Sequence, residues 1–449
     1  MSDPSRLRVA VVGGGVAGIT AAHDLDGAHD VTLFEASPAL GGHAHAVDVD
    51  DGQGGTLAVD TAFLIYNELH YPRFVELIRE LGVESQTQPA EMSASFIDDD
   101  RSFYYALGRG IDALFYQRRN AVSGRFYRLF AELFAFRRRA YRDIARGDIP
   151  ESVTLRDYLR PYSDLFRDNF VVPLASAIWS LPDTVVLAYP ARQILHFFMN
   201  HRLLRGQSGD AWRTFCGSSR AYVRAFEQRY RGRLALGTAV RQVRRDDGRA
   251  QLSTSCGLET FDRIVLATHA DVSLRLLADA TTRERSLLGP WTYHPNTVVL
   301  HRDARVLHAD RRLWASWNVV RRAGRQRVSY HLNRVQGLRS RLDYFLTLGD
   351  GDLDPALEVA RFAYRHPVFD AASVATQPQL TTLNGERGTF FCGSYHGHGF
   401  HEDAVASARR AGAALRAQAR DGRATNVPSS TPAPKRLCYG VASSKTLME

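Results

Sequence analysis

Between Leu7 and Gly18 the chain reads Leu-Arg-Val-Ala-Val-Val-Gly-Gly-Gly-Val-Ala-Gly, and this stretch constrains everything after it. The apolar run over residues 9–12 predicts a strand buried on both faces. Gly13, Gly15 and Gly18 come next at the spacing G-x-G-x-x-G. Gly13 permits a sharp turn, Gly15 lets a pyrophosphate reach the backbone, and Gly18 lets the next helix pack close to the strand. Val16 and Ala17 complete the turn. The helix expected over residues 19–25 aims its free N–H groups and positive dipole end at the phosphates. A second strand, residues 30–34, ends at Glu35, 22 residues after Gly13. A carboxylate there accepts bonds from both ribose hydroxyls of an adenosine. It would repel a 2′-phosphate, so the expected ligand is FAD or NAD and not NADP.

The residues after Glu35 choose between them. Ala36 leads through Leu40 into Gly41-Gly42-His43. The paired glycines let the backbone approach the pyrophosphate from the side opposite the first helix. An acid, a short spacer and Leu-Gly-Gly together resemble the second FAD fingerprint of the flavin-containing amine oxidoreductase superfamily. That superfamily includes amine oxidases, phytoene desaturases and protoporphyrinogen oxidases. Its members usually carry Arg or Lys after the glycine pair; His43 gives up that cation and keeps the backbone cradle. The resemblance implies further FAD contacts. Asp60-Thr61 re-enters the site, with Ala62 where relatives have glycine. Val240 packs at the adenine through its backbone. Ala267-Thr268 matches an Ala-Thr-Gly motif, with His269 in place of its glycine. Gly393-Ser394 lies near the ribityl and pyrophosphate. Glu402-Asp403-Ala404 opens a last helix whose positive end would sit near flavin N1 and C2=O.

The implied fold is α/β: a Rossmann-type FAD-binding domain interleaved with a substrate domain of mostly antiparallel sheet plus a helical cap, as in amine oxidases. We expect the FAD-binding domain over 7–62, 212–272 and 386–418, the substrate and cap domain over 63–211 and 273–385, and a disordered tail over 421–449. A chain of 449 residues is long enough for two such cores.

Composition narrows the chemistry. The only lysines are Lys435 and Lys445, so residues 1–434 offer none for a Schiff base or for the position amine oxidases place near flavin N5. The four cysteines are scattered, without metal or redox spacing. No leader and no run of about 18 apolar residues are expected, which points to a cytoplasmic protein with free thiols. His396, His398, His401 and His43 lack the carboxylate or cysteine partners of a zinc motif, so no metal is expected. The net charge is +9. Residues 111–144 interleave Phe and Leu with Arg118, Arg119, Arg125, Arg128, Arg137, Arg138, Arg139 and Arg142. Two readings stay open: cap helices with a solvated basic face, or an amphipathic surface that rests on anionic membrane at the inner face or accepts an anionic lipid head. No nucleic-acid motif accompanies the charge.

Denser matches narrow the resemblance. Asp60-Thr61, Ala177-Ile178-Trp179-Ser180, Trp212-Arg213-Thr214, His294-Pro295-Asn296 and Gly399-Phe400-His401-Glu402-Asp403 resemble one bacterial subgroup. Its genes lie beside cyclopropane-fatty-acyl-synthase-type methyltransferases. That implies an FAD-dependent oxidoreductase that desaturates or isomerises an unsaturated or methylated fatty acyl chain, with a methyltransferase as partner. Two alternatives remain: a flavin amine oxidase, and a non-catalytic FAD-binding partner of the methyltransferase. The substrate would approach from the sheet side, where His294, Asn296, Trp317, Asn318, Tyr330 and His331 carry polar groups. Tyr395 and His396 come from the final turn. The expected chemistry is hydride transfer from an allylic carbon, with His396 the first choice for proton transfer and Tyr395, His294 and Tyr330 as further catalytic candidates. Alternation puts His294 and Asn296 on one face, Tyr330 and Leu332 on another, and His331 opposite them.

Overall fold

The computed structural model describes residues 6–98, 103–200, 212–246, 248–322, 325–349 and 352–421. The tail expected over 421–449 lies, beyond residue 421, outside the described residues.

The strand Arg8–Val12 is the centre of a five-stranded sheet, all parallel. Across it the order is Arg233–Ala235, Asp30–Phe34, Arg8–Val12, Arg263–Leu266, Thr389–Phe391. Val12 stands in register with Phe34 on one side and Leu266 on the other. Alternation along the first strand feeds two cores. Val9 and Val11 join Ile19, Phe74 and Val405; Ala10 and Val12 join Phe34, Leu252 and Ile264. Burial on both faces explains why the run is continuously apolar. The helix after it spans Val16–Leu25, starting three residues earlier than expected, and packs along the last helix, His401–Asp421. Arg416 Nη1 ties the two by donating to the Asp24 carbonyl at 2.9 Å.

A second sheet has seven strands, in the order Glu358–Val368, Thr292–His301, Phe345–Leu348, Arg325–His331, Trp317–Arg322, Ala94–Ile97, Tyr104–Leu107. All neighbours are antiparallel except Trp317–Arg322 and Ala94–Ile97. Helices Gly124–Arg146, Val172–Trp179 and Ala191–Asn200 share its hydrophobic core. The first of these begins on the Ser123 side-chain cap and stops at Gly147 in the left-handed region.

Trp212–Phe215 is a strand, paired with Tyr66–Asn67 and Thr87–Pro89. Arg233–Ala235 belongs to the parallel sheet, and Val240–Asp246 starts a separate three-stranded meander. Gly237 at φ +61° turns the chain between them, fixed by its N–H on the Ser37 carbonyl at 2.8 Å. Leu332 does not continue the alternation from Tyr330, because a short helix, Leu332–Val335, begins there.

Candidate active site

A cavity of about 910 Å³ runs from the first glycine turn to the cap helices. Its inner end is built from backbone. The Glu35 carboxylate is oriented by two N–H donors, Gly14 at 2.6 Å and Ser37 at 2.8 Å. Each oxygen keeps a further lone pair for a ligand hydroxyl. Gly41 at φ +123° donates to the Gly14 carbonyl at 2.9 Å, which brings the second glycine pair onto the first turn. A Cβ on Gly15 would meet no atom within 4 Å, so this backbone faces open space at the head of the Val16–Leu25 helix. A Cβ on Gly18 would stand 1.7 Å from the Gly13 carbonyl oxygen, so Gly18 serves close packing and does not line the cavity. An open backbone, a helix N-terminus and an oriented acid fit the FAD expected here.

The middle of the cavity is walled by imidazoles. His43, His269, His366 and His401 all line it. The ring of His43 lies 5.4 Å from His366 and 6.3 Å from His269, centre to centre. Burial holds these rings neutral. It pushes His43 and His269 down to about 4, and His366 and His401 to about 3, with neighbouring imidazoles adding to the effect on His269, His366 and His401. His269 stacks on Tyr293 at 4.2 Å, and His401 on Phe63 at 3.6 Å. His43 Nε2 and His366 Nδ1 are buried without a hydrogen-bond partner among the described residues. Such atoms are paired in most folded proteins, so these two are open to a water or a ligand in the cavity. Thr61 closes the wall through a 2.6 Å bond with the Tyr364 hydroxyl.

The outer part is apolar. Leu64, Met92, Phe130, Leu133, Phe170 and Ile178 line it, along with Trp317 and Asn296, whose Nε1 and Nδ2 have no partner among the described residues. Histidines aside, only Glu35, Arg137 and Arg365 among the described residues that line the cavity are acidic or basic residues. Arg365 is paired with Asp271 at 2.8 Å.

The residues singled out from sequence divide. Gly13, Gly15, Val16, Ala17, Glu35, Gly41, Gly42, His43, Thr61, Ala267, Thr268, Gly393, Ser394 and Ala404 line one cavity. Ala36 and Val240 do not. Asp60 is also outside it. Its buried carboxylate accepts from Ser219 N and Oγ and from Gln336 Nε2 at 2.7 Å, a knot that joins three segments. Burial raises it to about 7 against those bonds. Glu402 caps another helix, accepting from Arg73 N–H and Phe74 N–H at 3.0 Å each. Asp403 accepts from Phe400 N–H at 2.9 Å and staples the turn before the last helix.

The catalytic candidates divide too. Tyr395 lines the cavity with its hydroxyl unpartnered among the described residues; Tyr330 lines it with its hydroxyl donating to the Ala177 carbonyl at 2.8 Å. His396 does not line it. Its ring sits 4.6 Å from that of Tyr395, pushed down to about 3 by burial, then by Arg410. His294 lies outside the wall, beside His366 in the sheet register. Asn318 is spent on backbone, donating to the Ala315 and Ser329 carbonyls. His331 turns to Asp343 at 3.0 Å. Sequence reasoning missed the strand Glu358–Val368, which brings Tyr364, Arg365 and His366 into the wall. Its signal was the alternation Phe362, Tyr364, His366.

Among known proteins, the sequence pattern of flavin-containing amine oxidoreductases matches residues 16–321. The CLA-producing fatty acid isomerase from P. acnes is 14% identical, with a TM-score of 0.65 over 93% of this chain and 99% of that one. Cyclohexylamine oxidase from Brevibacterium oxydans IH-35A is 13% identical, with a TM-score of 0.65 over 93% and 99%. Putrescine oxidase bound to putrescine is 14% identical, with a TM-score of 0.66 over 92% and 99%. At such identities the likeness is one of fold. No curated protein matches the chain.

Proposed function

The chain belongs to the flavin-containing amine oxidoreductase family and is an FAD-dependent oxidoreductase, and from that premise we propose that its substrate is a long hydrophobic molecule, an unsaturated or methylated acyl chain that is desaturated or isomerised. The observation that carries this reading is the outer cavity. Its wall is apolar, and apart from Glu35 at the ribose end no described lining residue is a carboxylate. A protonated amine would find no counter-charge there, whereas a hydrocarbon chain gains about 25 cal/mol for each Å² it buries.

Bound FAD supplies a two-electron acceptor for hydride from carbon. Gly15, Gly42 and the head of the first helix would hold its pyrophosphate, and Glu35 its ribose. The chain's own side chains orient and exclude water. The imidazoles of His43 and His366 are poor bases at about 4 and 3, so they serve as hydrogen-bonding walls and not as proton acceptors. Among the described residues no strong base lines the outer cavity, which favours a substrate carbon activated by its own double bond. The Tyr395 hydroxyl, unpartnered among the described residues and raised well above its ordinary range by burial, is suited to donate a hydrogen bond. His396, set behind Tyr395, is not assigned the proton.

Two further expectations belong to this reading as proposals: contact of the arginine-rich cap with an anionic membrane surface, and a methyltransferase partner. Among the described residues no helix is long and apolar enough to cross a membrane, and no cluster of His, Cys, Asp or Glu could hold a metal. The test is anaerobic photometry of the FAD-loaded protein. Bleaching by an unsaturated lipid is expected of a desaturase, and conversion of the lipid to a positional isomer without net bleaching is expected of an isomerase; bleaching by a simple amine and by no lipid, with no lipid converted, overturns the substrate class, and neither bleaching nor conversion favours a binding role.

A further inference from the structure

The helix Gly124–Arg146 does more than cover the core. Phe130, Leu133, Phe134 and Arg137 recur at helical spacing, so they form one stripe, and all four line the cavity. Phe134 is also 64% exposed. A side chain that both lines the cavity and meets solvent marks its mouth, and Arg137 stands one turn further along the same stripe.

Three arginines of this helix, Arg137, Arg138 and Arg146, have no ion pair among the described residues, and of these Arg137 alone lines the cavity. Arg125 is paired with Asp98 at 2.8 Å, Arg128 with Glu132 at 3.1 Å, Arg139 with Asp143 at 3.2 Å and Arg142 with Asp143 at 2.9 Å. Among the described residues no carboxylate lies within ion-pair distance of Arg137; its guanidinium lies 5.9 Å from the Tyr141 ring centre. Arg138 is exposed and does not line the cavity. Of its uncompensated guanidinium groups, the helix therefore sets Arg137 at the rim of an apolar cavity, where a planar fork matches a carboxylate in two-point contact.

We propose that Arg137 anchors the carboxylate of a free long-chain fatty acid, which enters methyl end first and leaves its charged head at the mouth. This rests on the acyl reading above and narrows it, because an ester of the same chain has no charge to give Arg137. A single guanidinium over a hydrocarbon-lined cavity suits one small anionic head.

The test measures binding to the FAD-loaded protein by flavin difference spectra, with oleic acid, methyl oleate and dioleoyl phosphatidylglycerol in mixed micelles as probes. Wild type should bind the acid about tenfold more tightly than the ester, the discount from a buried pair reflecting partial exposure. Arg137→Gln should remove that preference with flavin content unchanged, and Arg138→Gln should keep it. Equal binding of acid and ester by wild type, or an unchanged preference in Arg137→Gln, refutes the anchor while leaving the acyl reading in place. Arg137-dependent binding of the phospholipid without the acid also overturns it. If no acyl probe binds, the acyl reading fails and the anchor fails with it.

Discussion

Gly15→Ala separates the cofactor contact from the fold. Gly15 sits at φ −73° and ψ −179°, which alanine adopts freely, and a Cβ there would meet no protein atom within 4 Å. As the N-cap of the first helix, alanine in place of glycine costs up to about 1 kcal/mol. The stiffer unfolded chain offsets about 0.4–1 kcal/mol of that. The stability of the apoprotein should therefore stay within about 0.5 kcal/mol of wild type. FAD affinity should not. The methyl group occupies the space a pyrophosphate needs to reach the N–H groups of the first turn, and hydrogen bonds to a charged group are worth about 1.5–3 kcal/mol each. Losing one or two weakens binding by about 2–4 kcal/mol, or roughly 30- to 700-fold. Urea unfolding of the apoprotein followed by tryptophan fluorescence reads the first quantity, and FAD titration the second. Gly18→Ala is the contrast. Its Cβ would lie 1.7 Å from a backbone oxygen, so it should unfold at much lower urea. Wild-type FAD affinity in Gly15→Ala would refute a pyrophosphate path over Gly15. A fold loss matching that of Gly18→Ala would refute the steric argument.

Two further perturbations act through groups already described. Glu402→Ala should lower stability by about 0.5–2 kcal/mol, because the Pro72–Glu80 helix loses the carboxylate on its Arg73 and Phe74 N–H groups; reduced FAD occupancy at unchanged stability would return Glu402 to the cofactor. Acid should destabilise the protein through the histidine wall, since folded values of about 3–4 lie below the ordinary 6.5, so that stability is full above pH 6.5 and falls as pH drops toward 4. Each imidazole contributes about 1.4 kcal/mol per pH unit across that window. Asp60, raised to about 7, and Asp403, raised to about 6, act in the opposite sense and partly offset it. Urea midpoints from pH 5 to 8 should show a shallower acid limb in His366→Asn than in wild type, and superimposable limbs would remove His366 from the wall.

The inner end of the cavity was legible because its requirements are local. Gly13 takes a positive φ of +105°, Gly18 packs on the Gly13 carbonyl five residues back, and Gly15 leaves the head of the helix open, all within one turn of chain that follows a buried strand. Carboxylates were less legible. Asp60 and Glu402 stand where a strand ends and a helix begins, where an acid serves a ligand or an orphaned backbone donor equally well. The donors that claim Glu402 lie 329 and 328 residues away, at Arg73 and Phe74, and nothing near Glu402 in the sequence reports them.

The wall shows the same limit from the other side. Alternation told which face His294 shares with Asn296, but not which strand lies next to it. The register with Glu358–Val368 sets His294 opposite His366 and leaves His366, not His294, at the cavity. The cap helix shows it most sharply. Its period separated Phe130, Leu133 and Phe134 from a basic face, and two surroundings were weighed for that pattern, water and membrane. The structure adds a third, because Phe134 belongs to the lining and to the surface at once. A helical period ranks side chains by angle around an axis. It does not say whether the apolar sector ends against protein, lipid or a cavity, since the hydrophobic effect is indifferent to which of these removes the surface from water. What distinguishes the cases is pairing. Four arginines of this helix are matched to carboxylates, and of the three that are not, Arg137 alone stands in the cavity lining, so its missing counter-charge points to a ligand.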